Sequence, residues 1–117
     1  MTTRETIEHY FQALSDKSGW QALLADGMSF ASYSTPAKRV TGKDAYIEST
    51  RGFYSMIESL EVRSLIVDGE RACAITRYAL KPPAGSPFTC DVAEFFAVKD
   101  DHIDSFEIYF DSAPFSA

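Results

Sequence analysis

The sequence has 117 residues, 45% of them hydrophobic, and its 11 basic against 17 acidic side chains leave a formal charge of −6. This length suffices for one domain with its own core, and we expect residues 1–117 to form it. The acidic balance argues against nucleic acid and anionic membranes as partners, because both bind clustered positive charge. Aromatic residues make up 14% of the chain, which indicates either dense aromatic packing or a lined cavity.

The N-terminal residues and the cysteines bear on localisation. Residues 1–8 lack the apolar stretch of a signal peptide, and no apolar run has the length of a membrane span. Cys73 and Cys90 form no CxxC motif and have no histidine at metal-binding spacing. We therefore expect a cytoplasmic protein with two reduced thiols and no metal site.

The first half of the chain predicts helices. The first opens on Thr2 and Glu5, which have the spacing of a capping box, and ends at residues 16–19. Its apolar face carries Ile7, Tyr10, Phe11 and Leu14. A shorter helix with Trp20 on its apolar side follows until residues 26–27 stop it, and residues 28–33 read as a strand. A third helix is predicted from Thr41 to about residue 57.

From residue 60 the hydrophobic period changes from 3.6 to 2, which predicts four strands. They cover residues 60–67, 72–81, 88–99 and 102–110. Asp68-Gly69 is a strong two-residue hairpin signal, and Asp100-Asp101 is a weaker one. Helices followed by an antiparallel meander predict an α+β domain, with the helices packed on one face of a curved sheet.

Strand periodicity also predicts which side chains face the helices. In the strand 88–99 the even residues form the apolar, inward face, and in the last strand Phe106, Ile108 and Phe110 share that face. Phe95 and Tyr109 then point outward. A sheet whose outer face is half apolar favours dimerisation.

Glu94 is the strongest candidate for chemistry, because it is the one ionisable residue on this inward face. Burial of a carboxylate raises its pKa and prepares it as a general acid or a hydrogen-bond donor. The alternatives are a salt bridge to Arg77 or Lys81, or a different strand phase. Tyr10 needs a partner for its phenol if it is buried, and could donate to a ligand or to Glu94.

Other candidates are less specific, and several chemistries lack support. Further tyrosines that could line a cavity are Tyr33, Tyr46, Tyr54 and Tyr78. The sequence has no GxSxG, GxGxxG or Walker motif, and neither His9 nor His102 belongs to an HExxH motif. The functions that the sequence still supports are acid–base catalysis without a cofactor and binding without catalysis.

The order of elements resembles that of the SnoaL-like polyketide cyclases of the nuclear transport factor two-like superfamily. Residues 8–14 (EHYFQAL), 93–98 (AEFFAV) and 109–111 (YFD) carry the likeness. The resemblance implies a cystatin-like, cone-shaped fold, in which a curved antiparallel sheet wraps around N-terminal helices and encloses an apolar pocket. It also implies frequent dimerisation through the outer sheet face, and acid–base chemistry without metals or organic cofactors.

Compared with the ketosteroid isomerases of that superfamily, Tyr10 matches the tyrosine of the oxyanion hole. Glu94 falls where those enzymes carry a protonated aspartic acid. The position of their general base is occupied by Ser32 or Tyr33, depending on the alignment, and neither can abstract a proton from carbon unaided. The epoxide hydrolase pattern also fails, because Ile108 stands in the place of its aspartate.

We therefore predict a SnoaL-like domain that binds a small apolar or polycyclic molecule and is an isomerase- or cyclase-type enzyme, with Glu94 and Tyr10 as its polar catalytic groups. The alternative is a non-catalytic binding or dimeric assembly module of the same fold, with a second copy as partner. The predicted pocket lining is Phe11, Leu14, Phe30, Ser32, Phe53, Tyr54, Tyr78, Val92, Phe96, Phe106 and Ile108.

Overall fold

Within residues 1–34 and 36–116, the fold consists of three helices, one 3₁₀ turn and six strands. A computed structural model describes residues 1–34 and 36–116; residues 35 and 117 of the predicted domain lie outside this part. The helices are α1 (Thr3–Ser15), α2 (Lys43–Met56) and α3 (Ala113–Ser116), and the 3₁₀ turn is Trp20–Leu23. The strands are β1 (Leu24–Ser32), β2 (Lys38–Thr41), β3 (Ile57–Asp68), β4 (Arg71–Leu80), β5 (Phe88–Lys99) and β6 (His102–Phe110).

Helix α1 begins at the predicted capping box. The Thr2 hydroxyl accepts a hydrogen bond from the backbone N–H of Glu5 at 3.1 Å, and the Glu5 carboxylate accepts one from the backbone N–H of Thr2 at 2.9 Å. Both donors would otherwise lack a partner in the first helical turn. The predicted apolar face of α1 is buried against the sheet.

The region between residues 20 and 42 differs from the prediction. The second helix is only the 3₁₀ turn, and β1 already begins at Leu24, which pairs with Ile103 of β6. The sequence pattern does not predict strand β2, which pairs antiparallel with the end of β1. Thr41 does not cap α2, because it belongs to β2 and the N-cap is Gly42, whose φ of 98° suits glycine.

The six strands form one curved sheet in the order β2-β1-β6-β5-β4-β3. Every neighbouring pair is antiparallel except β1 and β6, which run parallel. The α+β prediction is thus confirmed. The parallel pair of β1 and β6 makes the sheet a mixed one.

Of the two predicted hairpin turns, the one with the weaker sequence signal agrees better with the structure. Asp68 still pairs with Arg71, so the first turn is Gly69-Glu70 and only Gly69 has a positive φ. Asp100 and Asp101 both have positive φ, at 52° and 63°, as a two-residue type I′ turn requires. The weaker signal therefore marks its turn correctly, and the stronger one is wrong by one residue.

The predicted phase of β5 is confirmed, since Cys90, Val92, Glu94, Phe96 and Val98 are all buried. In β6 a bulge beside Ala97 and Val98 shifts the phase, so that both Ile103 and Phe106 face inward. Phe95 and Tyr109 lie on the outer face and are about half exposed. The inner face and the helices together enclose the core and a cavity.

Candidate functional site

A cavity of about 540 Å³ lies between α2, the inner face of the sheet and the C-terminal residues. Its mouth is formed by exposed residues, among them Pro36, Lys38 and Phe115. The lining is Phe30, Ser32, Pro36, Lys38, Tyr46, Ser49, Thr50, Gly52, Phe53, Tyr54, Met56, Tyr78, Val92, Glu94, Phe106, Ile108, Phe110, Ser112 and Phe115. The space is mostly walled by aromatic and aliphatic side chains.

Glu94 is the one carboxyl group among the described lining residues, and it is 3% exposed. Its Oε2 accepts a hydrogen bond of 2.6 Å from the Thr76 hydroxyl, and its Oε1 accepts one of 2.8 Å from the Tyr78 hydroxyl. Both donors lie on the inward face of β4, beside Glu94 on β5. Two neutral donors thus hold the carboxyl group in one orientation.

Neither proposed salt bridge to Glu94 forms. Arg77 points outward and pairs with Asp91 at 2.8 Å, and Lys81 forms no ion pair among the described residues. Burial without a cation raises the pKa of Glu94 to about 7, although the hydrogen bonds from Thr76 and Tyr78 act in the opposite direction. Near neutral pH the protonated and ionised forms of Glu94 are therefore both populated.

Three tyrosine hydroxyls meet beside the cavity, and we call Tyr10, Tyr46 and Tyr54 the tyrosine cluster. The Tyr54 hydroxyl is central: it shares a hydrogen bond of 2.8 Å with Tyr10 and a second with Tyr46. The Trp20 ring stacks on Tyr54 at 4.2 Å between centroids. Burial raises the pKa of all three phenols well above the usual range, so they remain protonated donors at neutral pH.

The cavity includes many of the predicted site residues. Those that line it are Phe30, Ser32, Phe53, Tyr54, Tyr78, Val92, Glu94, Phe106 and Ile108. Of the two positions considered for a general base, Ser32 faces the cavity, whereas Tyr33 lies outside and stacks on Tyr109 at 5.0 Å. Neither residue has a carboxylate, so this position carries no general base of that kind.

Four predicted site residues do not line the cavity. Tyr10, Phe11, Leu14 and Phe96 are buried in the core between α1 and the sheet. The rings of Tyr10 and Phe11 lie 5.8 and 6.0 Å from the Phe96 ring and fill that space. The Tyr10 hydroxyl contacts Tyr54, and Glu94 receives its phenol hydrogen bond from Tyr78 instead.

Sequence reasoning missed Thr76 and the polar mouth residues. Thr76 could have been found from the alternation in β4, where Ala72, Ala74, Thr76, Tyr78 and Leu80 all face inward. Lys38 gave no signal, because β2 itself was not predicted.

The described residues offer neither a metal site nor a membrane-spanning helix. Within residues 1–34 and 36–116, no group of three or more His, Cys, Asp or Glu side chains could hold a metal ion. In the same part of the chain, no helix is long and apolar enough to cross a membrane.

Comparison with known proteins identifies the family. The family model of the SnoaL-like domain matches residues 7–106, whereas a search of curated proteins gives no significant match. An NTF2-like protein of Burkholderia thailandensis has a TM-score of 0.83 at 17% identity, over 99% of this chain and 95% of that one.

Two other similar structures bear names that suggest enzymes. A protein of Jannaschia sp., provisionally assigned as a SnoaL-like polyketide cyclase, has a TM-score of 0.79 at 16% identity, over 97% of this chain and 88% of that one. A protein of Kribbella flavida, provisionally assigned as a ketosteroid isomerase, has a TM-score of 0.76 at 22% identity, over 95% of this chain and 78% of that one. These likenesses concern the fold, and the match to the family model shows that this chain belongs to the SnoaL-like domain family.

Proposed function

We propose that the cavity binds a small, largely apolar molecule and that Glu94 exchanges a proton with it, as in a cofactor-independent isomerase or cyclase. The observation that carries the proposal is a buried carboxyl group, with a pKa near 7 and no cation, on the wall of an apolar cavity. A general acid or base works best when its pKa lies near the operating pH.

The size and lining of the cavity support binding of a small molecule. Its volume of about 540 Å³ falls within the roughly 300–1,000 Å³ of small-molecule sites. Aromatic walls with a few polar groups favour a flat or polycyclic apolar ligand. Two similar structures, provisionally assigned as a ketosteroid isomerase and as a polyketide cyclase, favour the same class of reaction.

The polar groups suit a proton transfer in which the Glu94 carboxyl group acts first as the base and then as the acid. The Glu94 carboxylate would take a proton from a carbon next to a carbonyl group and return it to another carbon of the same ligand. Tyr46 and Tyr54 line the cavity with neutral phenols that can hydrogen-bond the ligand oxygen while negative charge develops there. Tyr10 contributes by positioning the Tyr54 hydroxyl.

Deuterium exchange tests this proposal without knowledge of the natural substrate. We expect the protein to accelerate exchange of the acidic C–H bonds of 2-tetralone, an apolar bicyclic ketone, in D2O. Glu94→Gln should abolish the acceleration. Glu58→Gln, on an exposed position of β3, is the matched control and should retain it. Equal rates with Glu94→Gln and the unmodified chain, or no exchange above buffer, would refute the proton transfer.

The outer sheet face supports a second proposal, homodimerisation. Its exposed apolar residues are Tyr33, Ile66, Ile75, Phe95 and Tyr109. Such a patch on neighbouring strands is typical of an interface. We expect light scattering to give twice the mass of the chain, and Phe95→Ser combined with Tyr109→Ser to give monomers. A strictly monomeric unmodified chain at high concentration would contradict this.

A cytoplasmic location also belongs to the proposal. Cys73 and Cys90 are free thiols, which suits a reducing compartment. Fractionation of cells that express the tagged chain would test it, and recovery from the membrane or the medium would contradict it.

A further inference from the structure

One row of paired residues crosses four neighbouring strands along the cavity. Lys38 on β2 pairs with Ser32 on β1, Ser32 with Ile108 on β6, and Ile108 with Glu94 on β5. Directly paired residues project from the same face of a sheet, and all four line the cavity. The row therefore has a cation at one end and the buried acid at the other.

Lys38 lies at the mouth and is held toward the opposite wall. Its Nζ donates a hydrogen bond of 3.3 Å to the backbone carbonyl of Ser49 on α2, so the side chain extends from the sheet toward the helix. An ammonium group has three N–H donors, which leaves two for a ligand. Among the described lining residues Lys38 is the one with a positive charge.

Ser32 supplies a second donor beside Lys38. Its side chain is 8% exposed and lines the cavity, and its hydroxyl makes no hydrogen bond to another described side chain. The hydroxyl can therefore donate a hydrogen bond to a molecule in the cavity. An ammonium group and a hydroxyl side by side match a carboxylate, which accepts through both oxygens.

We propose that the ligand is an apolar carboxylic acid whose carboxylate binds between Lys38 and Ser32 and whose other end reaches Glu94. This inference rests on the proposed function, because it names the substrate class of the same cavity. Three strand spacings of about 4.8 Å separate the ends of the row, or roughly 14 Å between backbones. A body of medium chain length or of two to three fused rings spans that distance once the side chains are counted.

Decanoate and decan-1-ol are suitable probes, because they share the apolar chain and differ in charge. At about pH 6 decanoate is ionised while Glu94 is mostly protonated, so the two carboxyl groups do not repel each other. Binding can be measured by calorimetry and by the fluorescence of Trp20, the single tryptophan, which stacks on the cavity residue Tyr54.

We expect decanoate to bind more tightly than decan-1-ol, and more weakly as salt is added. Lys38→Met keeps the aliphatic stem and should weaken decanoate binding about fivefold, as expected for a pair at a solvated mouth. It should leave decan-1-ol binding unchanged. Ser32→Ala should lower the affinity for decanoate by a further factor of about three or more. Lys99→Met, at an exposed position at the end of β5, is the matched control and should change neither.

Equal affinities for the two probes, or loss of both in parallel with Lys38→Met, would overturn the carboxylate site. Failure of both probes to bind would overturn it as well. The proposed proton transfer is tested separately by 2-tetralone exchange, because this probe has no carboxylate and its exchange depends on Glu94.

Discussion

The two faces of the sheet place similar residues in opposite environments. Asp91 and Glu94 lie three positions apart on β5, the first on the outer face and the second on the inner. Two hydrogen bonds from Arg77 lower the pKa of Asp91, whereas burial raises that of Glu94 to about 7. The same functional group is thus an anion at neutral pH on one face and a proton-exchanging acid on the other. The face of the strand, more than the residue type, determines the chemistry.

The largest expected contrast concerns Phe95 and Phe96, which are adjacent in sequence and point to opposite faces. Phe96 is 3% exposed and packs on Tyr10, Phe11 and Phe106. Phe96→Ala should lower the free energy of unfolding by about 3–5 kcal/mol, because it leaves a cavity in the core. Phe95→Ala should cost less than about 1 kcal/mol. Urea denaturation at low protein concentration measures both, and equal losses would contradict the assigned phase of β5.

The next contrast is in the pH dependence of stability. The pKa of Glu94 rises from an ordinary 4.5 to about 7 on folding, so the folded state holds the proton more tightly. The contribution of Glu94 to the free energy of unfolding is complete below about pH 4.5. It is lost as the pH rises through about 7, by about 3 kcal/mol in total. Glu94→Gln should remove this loss, so that the variant is more stable than the unmodified chain at about pH 8.

Asp91 provides the control of opposite sign. Its pKa is lowered on folding, so its contribution is present at neutral pH and is lost as the pH falls through the folded value. Asp91→Asn should therefore give no gain in stability at about pH 8. Unfolding of both variants and the unmodified chain between about pH 4 and 9 separates the two acids. A Glu94→Gln curve parallel to that of the unmodified chain would show that the carboxyl group is not buried as described.

A smaller contrast separates tyrosines by face. Tyr54→Phe removes the central hydroxyl of the tyrosine cluster and leaves Tyr10 and Tyr46 without their shared partner. We expect a loss of about 1–3 kcal/mol in the free energy of unfolding. Tyr109→Phe, on the exposed outer face, should change it by less than about 0.5 kcal/mol. Thermal denaturation of the two variants measures the difference. Equal effects would show that the tyrosine cluster does not stabilise the fold.

Local patterns predicted those parts of the fold that depend on local interactions. The capping box at Thr2 and Glu5 and the alternation in β5 involve residues close in sequence, and the structure has both. Strand β2 has only four residues and exists through its pairing with β1, so its own sequence gives little sign of it. Leu24 likewise belongs to β1 because it pairs with Ile103 of β6, which is distant in sequence.

The candidate site divides in the same way. Periodicity alone indicated that Glu94 faces inward, since the alternation of β5 is regular over the whole strand. It could not indicate which phenol reaches the carboxyl group. Tyr10 bonds to Tyr54, 44 positions away, while Tyr78 reaches Glu94 because β4 and β5 are neighbours. Such partners follow from tertiary packing, which a one-dimensional pattern does not contain.

The protonation of Glu94 is the central claim, and a carbon-13 NMR titration of its side-chain carboxyl group tests it most directly. Glu94→Gln assigns the signal, and Tyr78→Phe should move the pKa further upward by removing a donor to the ionised form. We predict a midpoint near pH 7 for the unmodified chain. A midpoint near the ordinary value of 4.5 would contradict both the buried acid and the proton transfer that depends on it.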